Sequence, residues 1–571
     1  LAMVLALVMT LSLAVSANAA FKDVKDIDET YAESAAVLNG LGVFKGYEEK
    51  DGTFSFQPKN AITRAEVAAI VYRIYTGDVK DAYVKNYETY NKFGDMAGAG
   101  WAKGYIGYCA NAALVKGYPN GTFVPSGKVT GYEVLAMILR AVGYDQKNEF
   151  TGADWALHVA EIAERQGILD NVKGVDLNAP ATREVVAELL FQSINVPMVT
   201  YTAAFGYQNV GLNEKADNKL FAKNKTLGTK NFELDCVTGY VTANDYGTKF
   251  KNMQIAGKNL AKKDDTVKVA DQDIFDAGRY GHVWTSDGSA ITDVFYDDTL
   301  LSTTYDGTSY KNLTDKDADE FVAKADEHAR FFDNGYEQKA ISDVTVVRGT
   351  ELKLYTHTSD KTVDSVVALN QSVAQLTADP SVKNDKVKID TDTKRFDLTD
   401  KTASGYEELK EDDVALYVKM ADGVTYFELA KSVTGEKAKA YYDSSKTNVK
   451  ELDRWHIVFA DETYYMSVLD GRDDDANLFS KDADTFDEKA IMFLDRGGNV
   501  VRTALLTEDS QYVMIIDSYV TISENHDKTV YKMNALKADG TETGYITVEY
   551  DEEVFDALYD QDEDAFSPNL N

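Results

Sequence analysis

A threonine that opens an apolar helical stripe occurs three times in the first 200 residues. That recurrence limits the fold more than any other feature. Residues 62–66 read ITRAE and run into VAAIVYRI, residues 129–133 read VTGYE and run into VLAMILRAV, and residues 181–185 read ATREV and run into VAELLFQSI. Aligned on Thr63, Thr130 and Thr182, the apolar positions fall at i, i+3, i+4 and i+7. They are Val67, Ile70, Val71 and Ile74, then Val134, Met137, Ile138 and Ala141, then Val186, Leu189, Leu190 and, more weakly, Ser193. This is the period of a helix with one buried face. A threonine before such a face is an N-cap whose hydroxyl accepts an otherwise unpaired backbone N–H. Glu66 and Glu133, three residues further on, complete capping boxes, whereas the third copy has Val185 there. Capping does not explain the arginines. Just inside a helix start a cation slightly opposes the helix dipole. Arg64 and Arg183 are therefore expected to point outward, toward a ligand or an acidic neighbour. The second copy has Gly131 at that position.

A second helix and a glycine loop precede each cap. In the second copy, Trp101 opens a helix carrying Ile106, Cys109 and Ala113, which stops near Lys116-Gly117, and a turn at Asn120-Gly121 buries Phe123. The first copy matches with FKDV, YAESAAVLNGLGVFKGY and DGTFSFQP, and the third with DWALHVAEIAERQGIL and a worn loop, VKGVDLNAP. The unit is thus helix, glycine loop, helix, repeated over 20–80, 90–146 and 147–197.

This ordered set resembles the S-layer homology (SLH) domain family. The residues that carry the resemblance are F-x-D-V at 21–24, K-G-Y at 45–47 and 116–118, D-G-T-F at 51–54, N-G-T-F at 120–123 and T-R-A-E at 63–66. The resemblance covers about a third of the chain. It implies an all-α pseudo-trimer of helix-loop-helix repeats that holds a secondary cell-wall polysaccharide, one that can carry pyruvate ketals, in grooves between units. The family's motif arginine corresponds to Arg64 and Arg183, its aspartate to Asp23 and Asp95, and its tryptophan to Trp101 and Trp155. The chemistry is consistent. Arginine matches a ketal carboxylate bidentately, helix-start N–H groups add anion affinity, and loop glycines such as Gly46 and Gly117 admit a sugar close to the backbone. Each residue also has a plainer role: the tryptophans as core, the aspartates as caps of the following turn. Gly131, Val185 and the missing F-x-D of the third copy imply that at least one groove is weakened.

Ahead of the repeats, residues 1–19 form an apolar run ending in Ala17-Asn18-Ala19, the tail of a secretory signal peptide. It lacks a basic leader, so more chain is expected upstream. No later stretch is apolar enough to span a bilayer as a helix.

Beyond residue 197 the pattern changes. Over 198–571, short β-branched and aromatic runs alternate with Gly, Asp and Asn turns, which predicts two to four mainly β, sandwich-like domains. Breaks are expected near 300–345 and 380–400, and residues 315–332 read as an amphipathic helical insert. The net charge is −34, of which −29 falls on residues 201–571. Such a surface repels nucleic acid and anionic lipid and suits divalent cations or basic partners. Oxygen-rich clusters that could take Ca2+ are Asp470, Asp473, Asp474 and Asp475, and Asp560, Asp562, Glu563 and Asp564. A solvated charge run is the competing reading of each. Asp315, Asp317 and Asp319 imitate the start of a calcium loop, but Glu320 stands where that loop needs glycine.

No catalytic signature emerges. Six histidines are scattered, and neither a nucleophile elbow nor a phosphate loop is present. Cys109 and Cys236 lie in different expected domains, which argues against a disulfide framework. With no enzyme and no cofactor expected, the reading is an exported cell-surface (S-layer) protein, anchored non-covalently by SLH repeats, whose β-rich region self-associates into a lattice. The alternatives are an anchored enzyme or adhesin and, less consistent with the irregular charged strands, an outer-membrane channel.

Overall fold

The computed structural model describes residues 21–90, 92–211, 225–243, 252–259, 262–270, 272–305, 329–359, 362–435, 438–442, 455–469, 490–505, 514–522, 529–536, 542, 545–548, 559–560 and 565–566. The expected signal peptide, the acidic cluster at 470–475 and, apart from Asp560, the cluster at 560–564 lie outside them. The described residues fall into two compact units. The first runs to Ala430 and takes in Ser467 and Asp495–Asn499, and the second begins at Lys431.

The first unit opens with six helices: α1 (Glu29–Gly40), α2 (Arg64–Thr76), α3 (Lys103–Asn111), α4 (Gly131–Val142), α5 (Trp155–Arg165) and α6 (Arg183–Asn195). It is not purely helical, because β1 (Tyr47–Glu48) and β2 (Phe54–Ser55) pair in the first loop. The expected apolar faces of α2, α4 and α6 are buried in one shared core, together with Phe44, Phe56 and Phe123. Capping is less uniform than the sequence suggests. Thr63 and Thr130 form complete capping boxes with Glu66 and Glu133. Thr182 adopts the cap backbone but makes no cap hydrogen bond, and its buried hydroxyl has no partner.

The three cap segments meet edge to edge. Ile62 N–H donates to the Ala181 carbonyl (3.1 Å), Ala181 N–H to Val129 (2.9 Å) and Val129 N–H to Ile62 (3.2 Å), a closed ring. Antiparallel bridges Ala61–Thr182, Thr63–Lys128 and Thr130–Pro180 flank it. Each helix start then feeds its neighbour's loop. Arg64 and Ala65 N–H groups donate to Gly127 and Pro125, Arg183 and Glu184 to Asn60 and Pro58, and Tyr132 to Leu177. These N–H groups are therefore consumed in folding and are not free to bind an anion, contrary to the sequence expectation.

After α6, a short hairpin of β3 (Val199–Thr202) and β4 (Gly206–Asn209) leads to α7 (Leu227–Phe232). The Asn231 side-chain amide donates to the carbonyls of Ile74 and Tyr75 at the end of α2 (2.7 and 3.0 Å). The chain then turns to β structure. An antiparallel sheet contains β5 (Asp235–Thr242), β6 (Asn252–Asn259), β7 (Lys262–Ala270), β8 (Tyr280–Ser286), β9 (Ser289–Ala290) and β10 (Phe295–Tyr296), in the order β10-β8-β5-β6-β7 with β9 on β8. Further five-, four- and three-stranded sheets complete the unit. Residues 315–328 of the expected helical insert lie outside the described residues. Its end is a strand, Arg330–Asp333, paired with Ser365–Leu369 in parallel. The second unit holds three-stranded sheets, and Ile457, Phe459, Met492 and Val500 form a core within it.

The caps give a differential test. Thr63→Val and Thr130→Val should each cost about 1 kcal/mol by denaturant titration, because a cap hydrogen bond is lost. Thr182→Val should be neutral or stabilising, because it replaces an orphaned hydroxyl with a methyl of similar volume.

Candidate functional site

The arginines are not outward. Arg64 is 3% exposed and Arg183 2%. Arg64 reaches into the second copy: Nε donates to the Phe123 carbonyl (2.9 Å), Nη1 to Glu133 (2.9 Å) and Nη2 to the Lys116 carbonyl (3.2 Å). It lies against the rings of Tyr118 and Phe123. Arg183 makes a parallel set in the first copy, with a tyrosine hydroxyl where Arg64 bonds a glutamate. Nε donates to the Phe56 carbonyl (2.6 Å), Nη1 to the Tyr47 hydroxyl (3.0 Å) and Nη2 to the Lys45 carbonyl (3.1 Å), while Phe44, Tyr47 and Phe56 surround it. The acidic neighbour is the motif glutamate of the adjoining copy, Glu133 for Arg64 and Glu66 for Arg183. Tyr118 and Tyr47 donate to the same glutamates. For Glu66, burial would raise the carboxyl pKa, but hydrogen bonds from Thr63 and Tyr47 outweigh it and hold the group below its ordinary value. Burial, reinforced by Glu66, pushes Tyr47 up to about 12. The arginine thus works between copies, and sequence adjacency could not show this.

The other motif residues also prove to shape the loops. Asp23 accepts from the N–H groups of Phe56 and Gln57 (both 2.7 Å), and Asp95 from Phe123 and Val124 (2.9 and 2.7 Å). Gln57 and Val124 sit at φ +55° and +58°, and the aspartates clamp those strained turns. A Cβ on Gly46 would lie 2.5 Å from the Phe21 ring, and one on Gly117 2.6 Å from the Phe93 ring. The phenylalanine of each F-x-D occupies the space a sugar was expected to use.

A second constellation escaped the sequence reading. Arg73 and Arg140 each stand ten residues after a cap threonine. Arg73 Nε and Nη2 donate to Asp81 (2.8 and 3.0 Å), which also accepts from Lys45 (2.8 Å). Arg140 Nε donates to Asp145 (2.6 Å), which also accepts from Lys116 (2.7 Å). Burial would raise both carboxyls, yet the paired cations hold them below the usual range. Aligning the copies beyond the apolar stripe would have revealed the shared arginine. The third copy has Gln192 there. It also has Asp170 and Val172 in place of the K-G-Y lysine and tyrosine, Val185 in place of glutamate, and Gly131 aimed at it in place of arginine. A Cβ on Gly131 would strike Leu177 at 2.6 Å, so apolar packing replaces the ionic cluster.

A groove of about 570 Å³ opens beside the first cluster. Lys45, Tyr47, Glu66, Arg73, Gly98, Gly100, Trp101 and Arg183 are among its lining residues. Trp101 is 62% exposed, an open ring and not a core residue, whereas Trp155 is half-buried against the core. At the position equivalent to Ala65, the second copy carries the larger Tyr132. Among the described residues, no group of three or more His, Cys, Asp or Glu could hold a metal ion, and no helix is long and apolar enough to cross a membrane.

Residues 20–68 and 92–135 match the S-layer homology domain family. Over 344 residues the chain is 27% identical to a cell surface protein of Thermoanaerobacter kivui, covering 59% of this chain and 41% of that protein. It is 32% identical over 177 residues to a cellulosome-anchoring protein of Acetivibrio thermocellus, covering 30% and 36%. It is 30% identical over 122 residues to the exoglucanase XynX of the same species, covering 21% and 10%. The chain therefore spans less than half the length of each of these relatives.

The ion clusters and the Asp95 clamp are expected to set the acid limit of the helical region. Glu66, Asp81, Asp95 and Asp145 all have lowered carboxyl pKa values, so the unfolded chain binds protons first. Stability should be full above the ordinary carboxylate range and should fall as pH drops through the lower folded values, read by circular dichroism melts. Asp145→Asn should cost about 3–5 kcal/mol, because it strands the buried Arg140.

Proposed function

We propose that the helical region is a wall anchor that grips an anionic cell-wall polysaccharide, and that the chain is secreted and displayed at the cell surface. The observation that carries this reading is the groove between the first and second copies. It sets the exposed Trp101 beside the half-exposed Lys45 ammonium and the buried, internally paired guanidiniums of Arg73 and Arg183. A sugar ring packs on a flat apolar face, and a carboxylate such as a pyruvate ketal is drawn to the cations. In this reading Arg183 forms the groove wall and Arg64 its counterpart in the second copy, both held by the folding contacts above. The SLH matches and the relatives named for surface and anchoring roles support it.

The third copy completes a pseudo-threefold bundle with two working clusters and one filled by Leu177. The acidic β-rich region is the displayed part, and its charge favours cation-assisted self-association into a surface lattice. The exoglucanase match covers 21% of this chain and 10% of that enzyme. It accords with an anchor module that travels with unlike cargo, and it lends no catalytic role to residues 198–571.

The test uses the full chain on purified wall sacculi with and without their secondary polymer. Arg64→Ala is a poor probe, because a buried paired charge would be broken and the fold would suffer. Trp101→Ala is the better one. Binding should require the polymer and weaken about 30-fold, as loss of an aromatic anchor costs about 2 kcal/mol, with the melting curve unchanged. Binding that ignores the polymer or survives Trp101→Ala would sink the assignment of the groove.

A further inference from the structure

Helix α1 and the β5–β10 sheet meet at one charged contact within the first unit. His282 on β8 lies between two carboxylates: its Nε2 is 3.1 Å from Glu33 of α1, and its Nδ1 is 2.8 Å from Asp297 just after β10. Glu33 also accepts from the Trp284 indole N–H (2.6 Å), and Trp284 stacks edge-on against Phe191 of α6. Around this centre the packing is close. A Cβ on Gly40, the last residue of α1, would lie 2.3 Å from the Ile291 carbonyl oxygen. The Ser286 hydroxyl donates to the Phe232 carbonyl at the end of α7 (2.7 Å).

We propose that Glu33, His282 and Asp297 form an alkali-released latch holding the β5–β10 sheet on helix α1. The physical basis is the donor count of imidazole. A protonated ring donates from both nitrogens and serves both carboxylates, whereas a neutral ring has one N–H and leaves the other nitrogen's lone pair facing a carboxylate. The groups facing His282 are those two carboxylates, the Phe295 ring stacked on it, and Thr238 opposite it on β5. Nearby on β5, Cys236 is pushed up to about 12 by burial and by Glu33, Asp235 and Asp297, so it stays a neutral thiol. No second cation is among these groups to replace the imidazolium.

The sign follows directly. Burial would lower the pKa of His282, but the bonds to Asp297 and Glu33 outweigh it and raise the value to about 9. The contact is fully formed below the ordinary histidine pKa and is lost as pH rises through about 9. At neutral pH the latch is closed. The apolar contacts and the Ser286 bond do not titrate, so release loosens the junction without separating it.

Hydrogen exchange of the full chain, corrected for intrinsic rates and followed from about pH 6 to about pH 10.5, tests this. Peptides covering α1 and β8 should lose protection with a midpoint near pH 9, while α4 stays protected. Glu33→Gln and Asp297→Asn should each move the midpoint down toward the ordinary histidine value, and His282→Gln should abolish the pH step. The wild-type profile decides the matter even where a variant folds poorly. A profile without a step near pH 9, or a step shared by α4, overturns the latch.

Discussion

The closed ring of backbone hydrogen bonds among Ile62, Ala181 and Val129 is the constraint on which the helical region depends. Each copy alone would leave the first N–H groups of its second helix unpaired and an apolar stripe bare. The ring satisfies both needs at once. It seats each helix start on the neighbouring loop, so the loop carbonyls of Pro58, Asn60, Pro125, Gly127 and Leu177 become the missing acceptors. Beyond its own cap, each copy thus has helix-start N–H groups that are paired by a neighbouring copy's loop.

The buried arginines extend that logic. A guanidinium removed from water is tolerated only when its donors are matched. Arg64 and Arg183 meet this condition with two carbonyls, a glutamate and aromatic faces from the adjoining copy. Their positions fix the orientation of K-G-Y, which sets Lys45 and Tyr47 on the groove wall. The groove is thus a by-product of inter-copy packing. Where the arginine is replaced, at Gly131, Leu177 closes the gap and no ionic cluster forms.

Polar contacts continue past the repeats. Asn231 of α7 caps the carbonyl end of α2, and β8 is bonded to α1 through Glu33. The helical region and the first sheet are therefore joined by polar contacts of defined geometry as well as by chain continuity.

The apolar stripes, the caps at Thr63 and Thr130, and the change to β structure after residue 197 were all legible in the sequence, because each follows from local period and local hydrogen bonding. The roles of Asp23, Asp95, Gly46 and Gly117 were not. Their motif pattern pointed to a ligand or, for the aspartates, to a cap of the following turn, while the structure pairs them with Phe56, Phe123, Phe21 and Phe93, up to 33 residues away. Thr182 shows the limit from the other side. Its residue type predicts a cap, but the Val185 side chain cannot accept from the cap N–H, and the Thr182 hydroxyl makes no cap bond of its own. Sequence by itself determined which segments are helical and which face of each is buried, because those depend on neighbours within one turn. Only the tertiary structure decided where the arginine charges go, because their partners belong to another copy, and that assignment separates the ionic clusters of the first two copies from the apolar seam at Gly131 and Leu177.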